Sequence, residues 1–328
     1  MADTIKILLL GIGRWGTNHF RILKNLPVEL FVVDPDAGKV EKARSSGFDA
    51  QHISTNYNDF KDRVDAAIIV TPAQTHYELC RLFLESGKDV FVEKPITLVS
   101  CQAKELAQLA ESNGRILQVG HIFRFDPAAQ WLRDNIRGGL FGKLKILRGS
   151  FSGFKRPRSD SGVAFADAIH FIDLFNFISG EVPIRVTARL YDFLGRGMDD
   201  EALIVLDYKA GFTGIIQAGY HNPGKFRFVE VLGESMSAVC DFNAAQYKVK
   251  TYANTFVGKD GVFQAQEGST QQIEFTPEEP LQAELRAFIE SIRTRNQPLA
   301  DGWSGYEAVR ILECTVESSN TFKSIQLI

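Results

Sequence analysis

Short apolar runs alternate with segments of helical spacing over the first part of the chain. The runs are apolar along nearly their whole length, which is typical of strands covered on both faces. They are IKILLL, ELFVVD, DAAIIVT, DVFVEK and ILQVG, at residues 5–10, 29–34, 65–71, 89–94 and 116–120. Segments such as THYELCRLFLESGK and SCQAKELAQLAESNG separate them and end near a glycine. This alternation predicts an α/β domain with a doubly wound parallel sheet over residues 1–123.

Longer runs with alternating polar and apolar positions follow from about residue 124. Examples are IRVTARLYDF, EALIVLDYKAGFTGIIQAGYH and FRFVEVLGE. Such alternation predicts a large, mostly antiparallel sheet with one face more exposed to solvent. The segment VAFADAIHFIDLFNFISG interrupts these strands as a helix, and two more helices are predicted near the C-terminus. We therefore expect an α+β domain over residues 124–328, with its last helices packing back on the first domain.

Composition and charge exclude several classes of protein. The 328 residues are 45% hydrophobic and 23% charged, as in an ordinary soluble globular protein. The formal charge of −3 gives no basic field for nucleic acid. The four cysteines are widely spaced without a CxxC pair, which predicts neither a disulfide framework nor a metal site and suits a reducing cytoplasm. No apolar stretch approaches the roughly 20 residues of a membrane span, and no signal peptide is expected.

The first predicted strand runs into GIGRWG, which opens a helix. Gly11 permits the tight turn, Gly13 lets a pyrophosphate approach the backbone, and Gly16 lets helix and strand pack closely. The free N–H groups of the helix then face the phosphates, with Arg14 and Trp15 in the same turn. This arrangement predicts a Rossmann dinucleotide site, although a tight turn without a ligand is the alternative.

Asp34 ends the second predicted strand and would accept hydrogen bonds from the adenosine ribose. A carboxylate at this point repels a 2′-phosphate. Pro35 and Asp36 come next, and we expect no lysine or arginine beside Asp34 to offset that repulsion. The sequence therefore favours NAD over NADP as the cofactor.

The segment TPAQTHYEL follows the third long strand at its carboxyl end, where ligands bind in open α/β sheets. Thr71, Pro72, Thr75 and His76 are accordingly predicted to lie beside the cofactor. Thr75 is also a good N-cap for the next helix, and the two roles are compatible.

The segment DVFVEKPI ends an apolar strand with Glu93, Lys94 and Pro95. One interpretation is a strand end that reaches solvent, because Pro95 cannot continue a ladder. The other is a lysine directed at a reaction centre, with Glu93 beside the cofactor. The segment alone favours the first interpretation.

The segments GIGRWGTNHFR, TPAQTHYEL and GKDVFVEKPI together resemble the Gfo/Idh/MocA oxidoreductases, along essentially the whole chain. The resemblance implies a Rossmann domain followed by an α+β domain whose sheet often mediates oligomerisation, as a dimer or tetramer. It also implies NAD(P)-dependent oxidation of a sugar or cyclitol carbon. Lys94 would then point at the nicotinamide ribose and the substrate, precede a cis peptide bond, and move the proton that accompanies hydride transfer.

The segment SGVAFADAIHFIDLF resembles the family helix that carries an acid/base histidine, here His170. The family's usual aspartate lies four residues before that histidine, where this chain has Ala166. Asp167 lies three residues before His170 on a shared helix face, and is our candidate for orienting it. Packing roles for His170 and Asp167 are the alternatives, and Asp173 is predicted to be structural.

The segment VGHIFRFDPAAQWLRD resembles UDP-N-acetylglucosamine 3-dehydrogenases, which implies substrate contacts from His121 and Arg124. The loop GFKRPRSDSG adds Lys155, Arg156 and Arg158, either as a diphosphate site or as a solvated basic loop. The implied reaction is oxidation at C3 of a UDP-N-acetylhexosamine, with an aminotransferase as pathway partner. A free-sugar or inositol dehydrogenase is the alternative within the enzymes. An NAD-binding regulator with a degenerate site, favoured by Ala166, is the alternative of another class.

Overall fold

The computed structural model describes residues 4–158, 160–259 and 261–327. These residues form two compact units. The first unit contains the chain up to Ile122 together with Glu279–Val309, and the second contains Phe123–Glu278 and the chain from Arg310 onward. Glu279–Val309, which lies near the C-terminus, thus groups with the first unit.

The first unit contains a parallel sheet that has six strands within the described residues. The strands are β1 (Lys6–Leu10), β2 (Glu29–Val33), β3 (Ile53–Ser54), β4 (Ala66–Ile69), β5 (Asp89–Val92) and β6 (Leu117–Val119). Their order is β3-β2-β1-β4-β5-β6, and every neighbouring pair is parallel. This confirms the predicted doubly wound sheet, and its order reverses beside β1, where α/β proteins bind ligands beyond the carboxyl ends of the strands.

Helices cover both faces of this sheet. They are α1 (Gly16–Leu23), α2 (Ala37–Ser45), α3 (His76–Glu85) and α4 (Ser100–Ser112). Alternate residues of β1 point to opposite faces, so Leu8 packs in a core with Phe83 of α3, whereas Leu9 packs in a second core with Leu23 of α1. Apolar burial on both faces explains why these strands lack polar positions and fixes the carboxyl ends of β1, β4 and β5 along one edge.

The second unit contains a mixed, mostly antiparallel sheet that has nine strands within the described residues, which confirms the predicted α+β architecture. Its strands are β7 (Leu144–Ser152), β8 (Pro183–Tyr191), β9 (Glu201–Tyr208), β10 (Thr213–Gly219), β11 (Phe226–Gly233), β12 (Ser237–Asp241), β13 (Val249–Tyr252), β16 (Thr270–Ile273) and β17 (Ile325–Gln326). A separate hairpin, β14 (Thr255–Lys259) and β15 (Val262–Gln266), was not predicted. The sheet order is β16-β13-β12-β11-β7-β10-β9-β8-β17, and β7 pairs with β10 in parallel.

Helix α6 (Ile169–Ser179) packs on one face of the large sheet, and α5 (Pro127–Arg137) packs against α6. Glycines in the strands allow α6 to approach closely. A Cβ at Gly149 would lie 2.5 Å from the ring of Phe171, and one at Gly214 would lie 2.9 Å from the ring of Phe175. Both rings are fully buried, so the sheet fixes α6 and the segment that begins it.

The last two helices are α7 (Pro280–Thr294) and α8 (Gly302–Thr321). Leu285 and Phe288 of α7 join the core of the first unit that contains Leu9. Among the described helices, none is long and apolar enough to cross a membrane.

Candidate active site

The glycine turn after β1 has the shape that a dinucleotide phosphate group requires. Gly11 has φ of +93°, and a Cβ there would lie 2.5 Å from the carbonyl oxygen of Val70. A Cβ on Gly16 would lie 2.1 Å from the carbonyl oxygen of Gly11, so helix α1 can start here only with a glycine. A Cβ on Gly13 would meet no atom within 4 Å, which leaves its backbone open to a ligand. Gly11 and Gly16 therefore occupy positions where a side chain would clash, and the approach of a pyrophosphate to Gly13 stays a prediction.

Asp34 lies beside this turn and is held by it. Asp34 is 3% exposed, and its side chain accepts hydrogen bonds from the backbone nitrogens of Ile12 at 2.9 Å and Asp36 at 3.0 Å. Lys39 of α2 places its Nζ 3.2 Å from both carboxylate oxygens. The expectation that no lysine lies beside Asp34 is therefore wrong. Lys39 lies in the first turn of α2, and its side chain reaches Asp34, five residues earlier in the chain.

The turn after β4 is bonded internally by its threonines. The hydroxyls of Thr71 and Thr75 are 2.7 Å apart, and Thr75 donates to the carbonyl of Pro72 at 2.8 Å. Thr75 occupies the N-cap position of α3, but its side chain makes no capping hydrogen bond. The capping role predicted for it is therefore wrong. Contacts of these three residues with the cofactor stay a prediction.

His76 connects two loops rather than facing outward. It is 1% exposed, and its Nδ1 and Nε2 lie 2.8 Å from the carbonyl of Pro95 and 2.9 Å from that of Thr71. Burial lowers the pKa of His76, while the two carbonyls act in the opposite direction. Both ring nitrogens face carbonyl oxygens of the loops after β4 and β5, and a neutral ring donates to one of them. A contact of His76 with the cofactor stays a prediction.

Lys94 follows β5 at the same edge of the sheet and is half-buried. The Lys94–Pro95 peptide bond is cis, as the resemblance implied. Glu93 is 8% exposed, and its carboxylate accepts from the Lys94 backbone nitrogen at 3.2 Å. Burial by itself would raise the pKa of Glu93, but the hydrogen bond and charge of His19, with Lys94 and Trp15, lower it overall. Glu93 is therefore an ionised, buried carboxylate next to the candidate catalytic lysine.

Arg14 and Trp15 are both exposed, Trp15 to 44%. The indole Nε1 of Trp15 nevertheless donates to the buried carboxylate of Glu93 at 2.6 Å. Glu93 was predicted to lie beside the cofactor, but its carboxylate is engaged within the protein. Cofactor contacts from Arg14 and Trp15 stay predictions.

In the second unit, His170 sits in an aromatic environment at the start of α6. Its ring stacks on Phe151 with centroids 5.1 Å apart and meets Phe123 edge-on at 5.4 Å. Phe151 also makes a cation–π contact with Arg227, whose guanidinium carbon lies 3.5 Å from the ring centroid. These rings fix the plane of His170.

A π-helical turn, Ala164–Ala168, precedes α6. The backbone nitrogen of Ile169 donates to the carbonyl of Ala164, five residues earlier, and Asp199 caps the turn by accepting from the nitrogen of Ala164 at 2.7 Å. Such turns are frequent at functional sites. This turn contains both Ala166 and Asp167 and therefore sets where Asp167 points.

Asp167 is 7% exposed and pairs with Lys155, whose Nζ lies 2.6 Å from its Oδ2. The same ammonium group lies over the ring of Tyr220 at 5.3 Å. Burial raises the pKa of Tyr220, and the charge of Asp167 acts in the same direction, so the phenol stays protonated. A role of Asp167 in orienting His170 stays a prediction.

Arg124 is engaged within the second unit. Its Nε and Nη2 bond the Asp173 carboxylate at 3.0 Å and 2.6 Å, and its guanidinium also lies 5.2 Å from the Phe177 ring centroid. The pair is mostly buried, with side chains 12% and 2% exposed. Asp173 thus occupies the Nε and Nη2 side of the guanidinium, which agrees with a structural role for Asp173. A substrate contact of Arg124 stays a prediction. His121 of the first unit is 2% exposed, and its substrate contact stays a prediction.

The basic loop is partly neutralised. Arg158 makes two hydrogen bonds to Asp160, at 2.8 Å and 2.7 Å, and these raise the pKa of Arg158. Lys155 is paired with Asp167, whereas Arg156 is exposed. A diphosphate would therefore have to compete with Asp160 for the fork of Arg158, which weakens the predicted phosphate site.

Four contributing residues were not singled out from the sequence: Lys39, His19, Phe123 and Phe151. The spacing of Lys39 from Asp34 could have indicated the first, because Asp36 followed by AGKVEKARS is a capped helix start. His19 lies in the quoted GIGRWGTNHFR segment, but only the fold brings it to Glu93. No local signal marks the two phenylalanines. Among the residues that the structure describes, no group of three or more His, Cys, Asp or Glu side chains could hold a metal ion.

Two family models match the chain and cover most of it. The Gfo/Idh/MocA model described as an oxidoreductase family with an NAD-binding Rossmann fold matches residues 5–121, and its C-terminal α/β domain model matches residues 133–327. The chain belongs to the Gfo/Idh/MocA oxidoreductase family. It is therefore an NAD-dependent oxidoreductase acting on CH–OH groups, and its first unit contains an NAD-binding Rossmann domain.

Individual relatives agree on the family but differ in substrate. Scyllo-inositol 2-dehydrogenase (NAD⁺) of Bacillus subtilis is 31% identical over 71% of this chain and 72% of that protein. UDP-N-acetylglucosamine 3-dehydrogenase of Acidithiobacillus ferrooxidans is 28% identical over 74% of each chain. A solved structure of an enzyme of that name and organism has a TM-score of 0.82 and covers 98% of this chain and 99% of its own. Levoglucosan dehydrogenase, solved with NADH, has a TM-score of 0.86 at 18% identity, with coverage of 99% and 100%.

Proposed function

We propose that this protein oxidises a ring hydroxyl of a sugar to a ketone, most specifically C3 of a UDP-N-acetylhexosamine. The observation that carries the proposal is the position of Lys94. It is half-buried at the carboxyl end of β5, on the same sheet edge as the open Gly13 backbone, in a chain of an NAD-binding family. The 3-dehydrogenase relative supports the choice of substrate.

The proposed roles follow from the site residues. NAD supplies the hydride acceptor when it is bound. The turn from Gly11 to Gly16 would hold its pyrophosphate, and Asp34 its adenosine ribose. Lys94 would take the proton from the substrate hydroxyl, with His170 as a second acid/base group held by its stack on Phe151.

A free sugar or cyclitol is the second candidate substrate, and a specific contact favours it. The Arg158–Asp160 pair leaves less of the basic loop for a diphosphate than the sequence indicated. The inositol dehydrogenase relative, at 31% identity, points the same way. Membership in an oxidoreductase family argues against the third alternative, a regulator with a degenerate site.

The test of the reaction is NADH formation with a panel of UDP-sugars, free sugars and inositols. Lys94→Ala should lower kcat by about 10²-fold or more and leave NAD affinity largely intact, since a general base typically contributes 10²–10⁴-fold. Lys104→Ala, an exposed lysine of α4, is the charge-matched control and should be silent. Near-wild-type turnover of Lys94→Ala would refute its assigned role.

The test of the substrate is inhibition by UDP. If the basic loop binds a diphosphate, Arg156→Ala and Arg158→Ala should raise KM by roughly tenfold or more and weaken UDP inhibition in parallel, with little effect on kcat. The control is Arg185→Ala, another exposed arginine that is paired with an aspartate, Asp207, at 2.7 Å. If UDP does not inhibit and the loop variants behave like this control, the free-sugar alternative replaces the nucleotide sugar.

We also propose a cytoplasmic homo-oligomer, a dimer or tetramer, which passes its keto sugar to an aminotransferase. The face of the large sheet opposite α6 supports self-association, because Leu203 and Val205 are 43% and 37% exposed on β9. Sedimentation of the wild type and of Leu203→Glu tests this, and a monomeric wild type would contradict it. All four cysteines are free thiols, which agrees with a reducing compartment.

A further inference from the structure

The buried carboxylate of Glu93 joins two segments, the phosphate-binding turn (residues 11–16) and the lysine loop (residues 93–96). Oε1 of Glu93 accepts hydrogen bonds from Trp15 Nε1 at 2.6 Å and lies 2.8 Å from His19 Nε2. Oε2 of the same carboxylate accepts from the backbone nitrogen of Lys94 at 3.2 Å. Trp15 lies in the glycine turn and His19 in α1, whereas Glu93 and Lys94 follow β5. The two segments, 78 residues apart, therefore meet at one side chain.

The chemistry of the contact requires an ionised Glu93. His19 is fully buried, and its Nδ1 has no hydrogen-bond partner among the described residues. The ring therefore meets the carboxylate through Nε2 alone, which donates to Oε1. Glu93 then receives N–H donors from Trp15, His19 and Lys94, which suits a carboxylate and not a protonated acid.

Packing prevents this carboxylate from moving independently. A Cβ on Gly120 would lie 2.9 Å from Oε2, so the chain after β6 closes directly over Glu93. On the other side, the His19 ring meets Phe91 of β5 edge-on at 5.5 Å. A shift of Trp15 or His19 must therefore be transmitted to Glu93, and from there to the backbone of Lys94.

We propose that Glu93 is a positioning residue that couples occupancy of the phosphate-binding turn to the placement of Lys94. Phosphate groups at the turn would fix Trp15 and His19, and these fix Glu93 and the lysine loop. The lysine would then be placed for proton transfer only when the cofactor is bound. The inference rests on the role of Lys94 proposed above.

The first experiment measures the coupling without catalysis. Hydrogen exchange is recorded with and without ADP, which carries the adenosine and pyrophosphate of NAD but neither the second ribose nor the nicotinamide. In the wild type, ADP should slow exchange in residues 11–16 and also in residues 89–96. In Trp15→Phe, which removes the indole donor and keeps an aromatic ring, protection of 11–16 should persist and that of 89–96 should be largely lost. Retention of both in Trp15→Phe, or protection of 11–16 alone in the wild type, overturns the proposal.

The second experiment measures turnover, with a matched control. Trp303 donates from its indole to Glu111 at 2.6 Å, the same kind of bond at the same distance in another part of the first unit. Trp15→Phe should lower kcat about tenfold with unchanged KM for the sugar, whereas Trp303→Phe should leave kcat unchanged. Glu93→Gln should lower kcat further. If Trp15→Phe matches Trp303→Phe in kcat, the contact has no positioning role.

The Lys94→Ala background separates the two hypotheses. Trp15→Phe should have no further effect on kcat there, because it acts through Lys94 and such effects are non-additive. If Lys94→Ala itself keeps its turnover, the proposed function fails. If Lys94→Ala loses turnover and Trp15→Phe lowers kcat by the same factor in the wild type and in Lys94→Ala, only the positioning role of Glu93 fails.

Discussion

Replacing Asp34 by alanine, alone and together with Lys39, should change which nicotinamide cofactor the protein prefers. Both carboxylate oxygens of Asp34 lie 3.2 Å from Lys39 Nζ, so the acid that we expect to exclude a 2′-phosphate is paired with a base that would attract one. Removing the acid leaves the base in place. The variant Asp34→Ala should therefore lose affinity for NAD and gain affinity for NADP.

The magnitude follows from the contacts. Each hydrogen bond between a ribose hydroxyl and a carboxylate contributes about 1.5–3 kcal/mol, so losing one corresponds to roughly 10- to 150-fold weaker NAD binding. Lys39 is half-exposed, with a side chain 42% accessible, so its contact with a phosphate is screened by salt. We expect Asp34→Ala/Lys39→Ala to bind NADP roughly tenfold less tightly than Asp34→Ala at low salt, and the difference to shrink as salt is added.

Isothermal titration with NAD and NADP measures these affinities without any substrate. Lys42→Ala is the control, because Lys42 is an exposed lysine on the same helix, one turn away from Lys39. Equal NADP affinities of Asp34→Ala and the double variant would refute the role of Lys39. Unchanged NAD affinity in Asp34→Ala would show that Asp34 does not hold the ribose.

Three further predictions concern stability and the histidine stack. Burial lowers the pKa of His76 from its ordinary value of 6.5, so the unfolded chain binds a proton at this residue more tightly than the folded protein does. The free energy of unfolding should therefore fall as the pH drops below about 6.5, and it should fall less in His76→Asn. Phe151→Leu should lower kcat about threefold to tenfold while NAD affinity stays unchanged, since the stack with His170 is lost; an unchanged kcat would contradict a positioning role. Arg124→Met should cost about 3–5 kcal/mol in urea unfolding, because Asp173 keeps a buried charge, and adding Asp173→Asn should recover part of it.

Elements with a strong apolar pattern were predictable, whereas short or solvent-facing ones were not. Strand β3 has two residues, α2 buries only Val40 and Ala43, and the residues described in β15 are all exposed. Periodicity reports burial, so elements that bury little leave little signal. The parallel sheet, by contrast, followed directly from its uninterrupted apolar runs.

The site divides in the same way. The steric need for glycine at positions 11 and 16 follows from local backbone geometry, and the pattern of the turn already indicated it. Tertiary packing brings Asp173 to Arg124, and Arg158 pairs with Asp160, two residues later in the chain. A count of basic residues in the sequence does not reveal either pair. A charged side chain that the sequence suggests for substrate binding can be assigned that role only after its ion-pair partners in the folded protein are known.

The π-helical turn at Ala164–Ala168 is in effect a helix that has gained one residue. One residue corresponds to about 100° of rotation around an α-helix, so every side chain before the turn is rotated relative to those after it. Counting three or four positions back from His170 therefore does not identify which side chain shares its face. A one-residue deletion within the turn would rotate Asp167 around the helix axis relative to Lys155, its partner outside the helix. Which side chain before the turn shares a face with this histidine can thus change through length alone, without substitution of any residue in the segment.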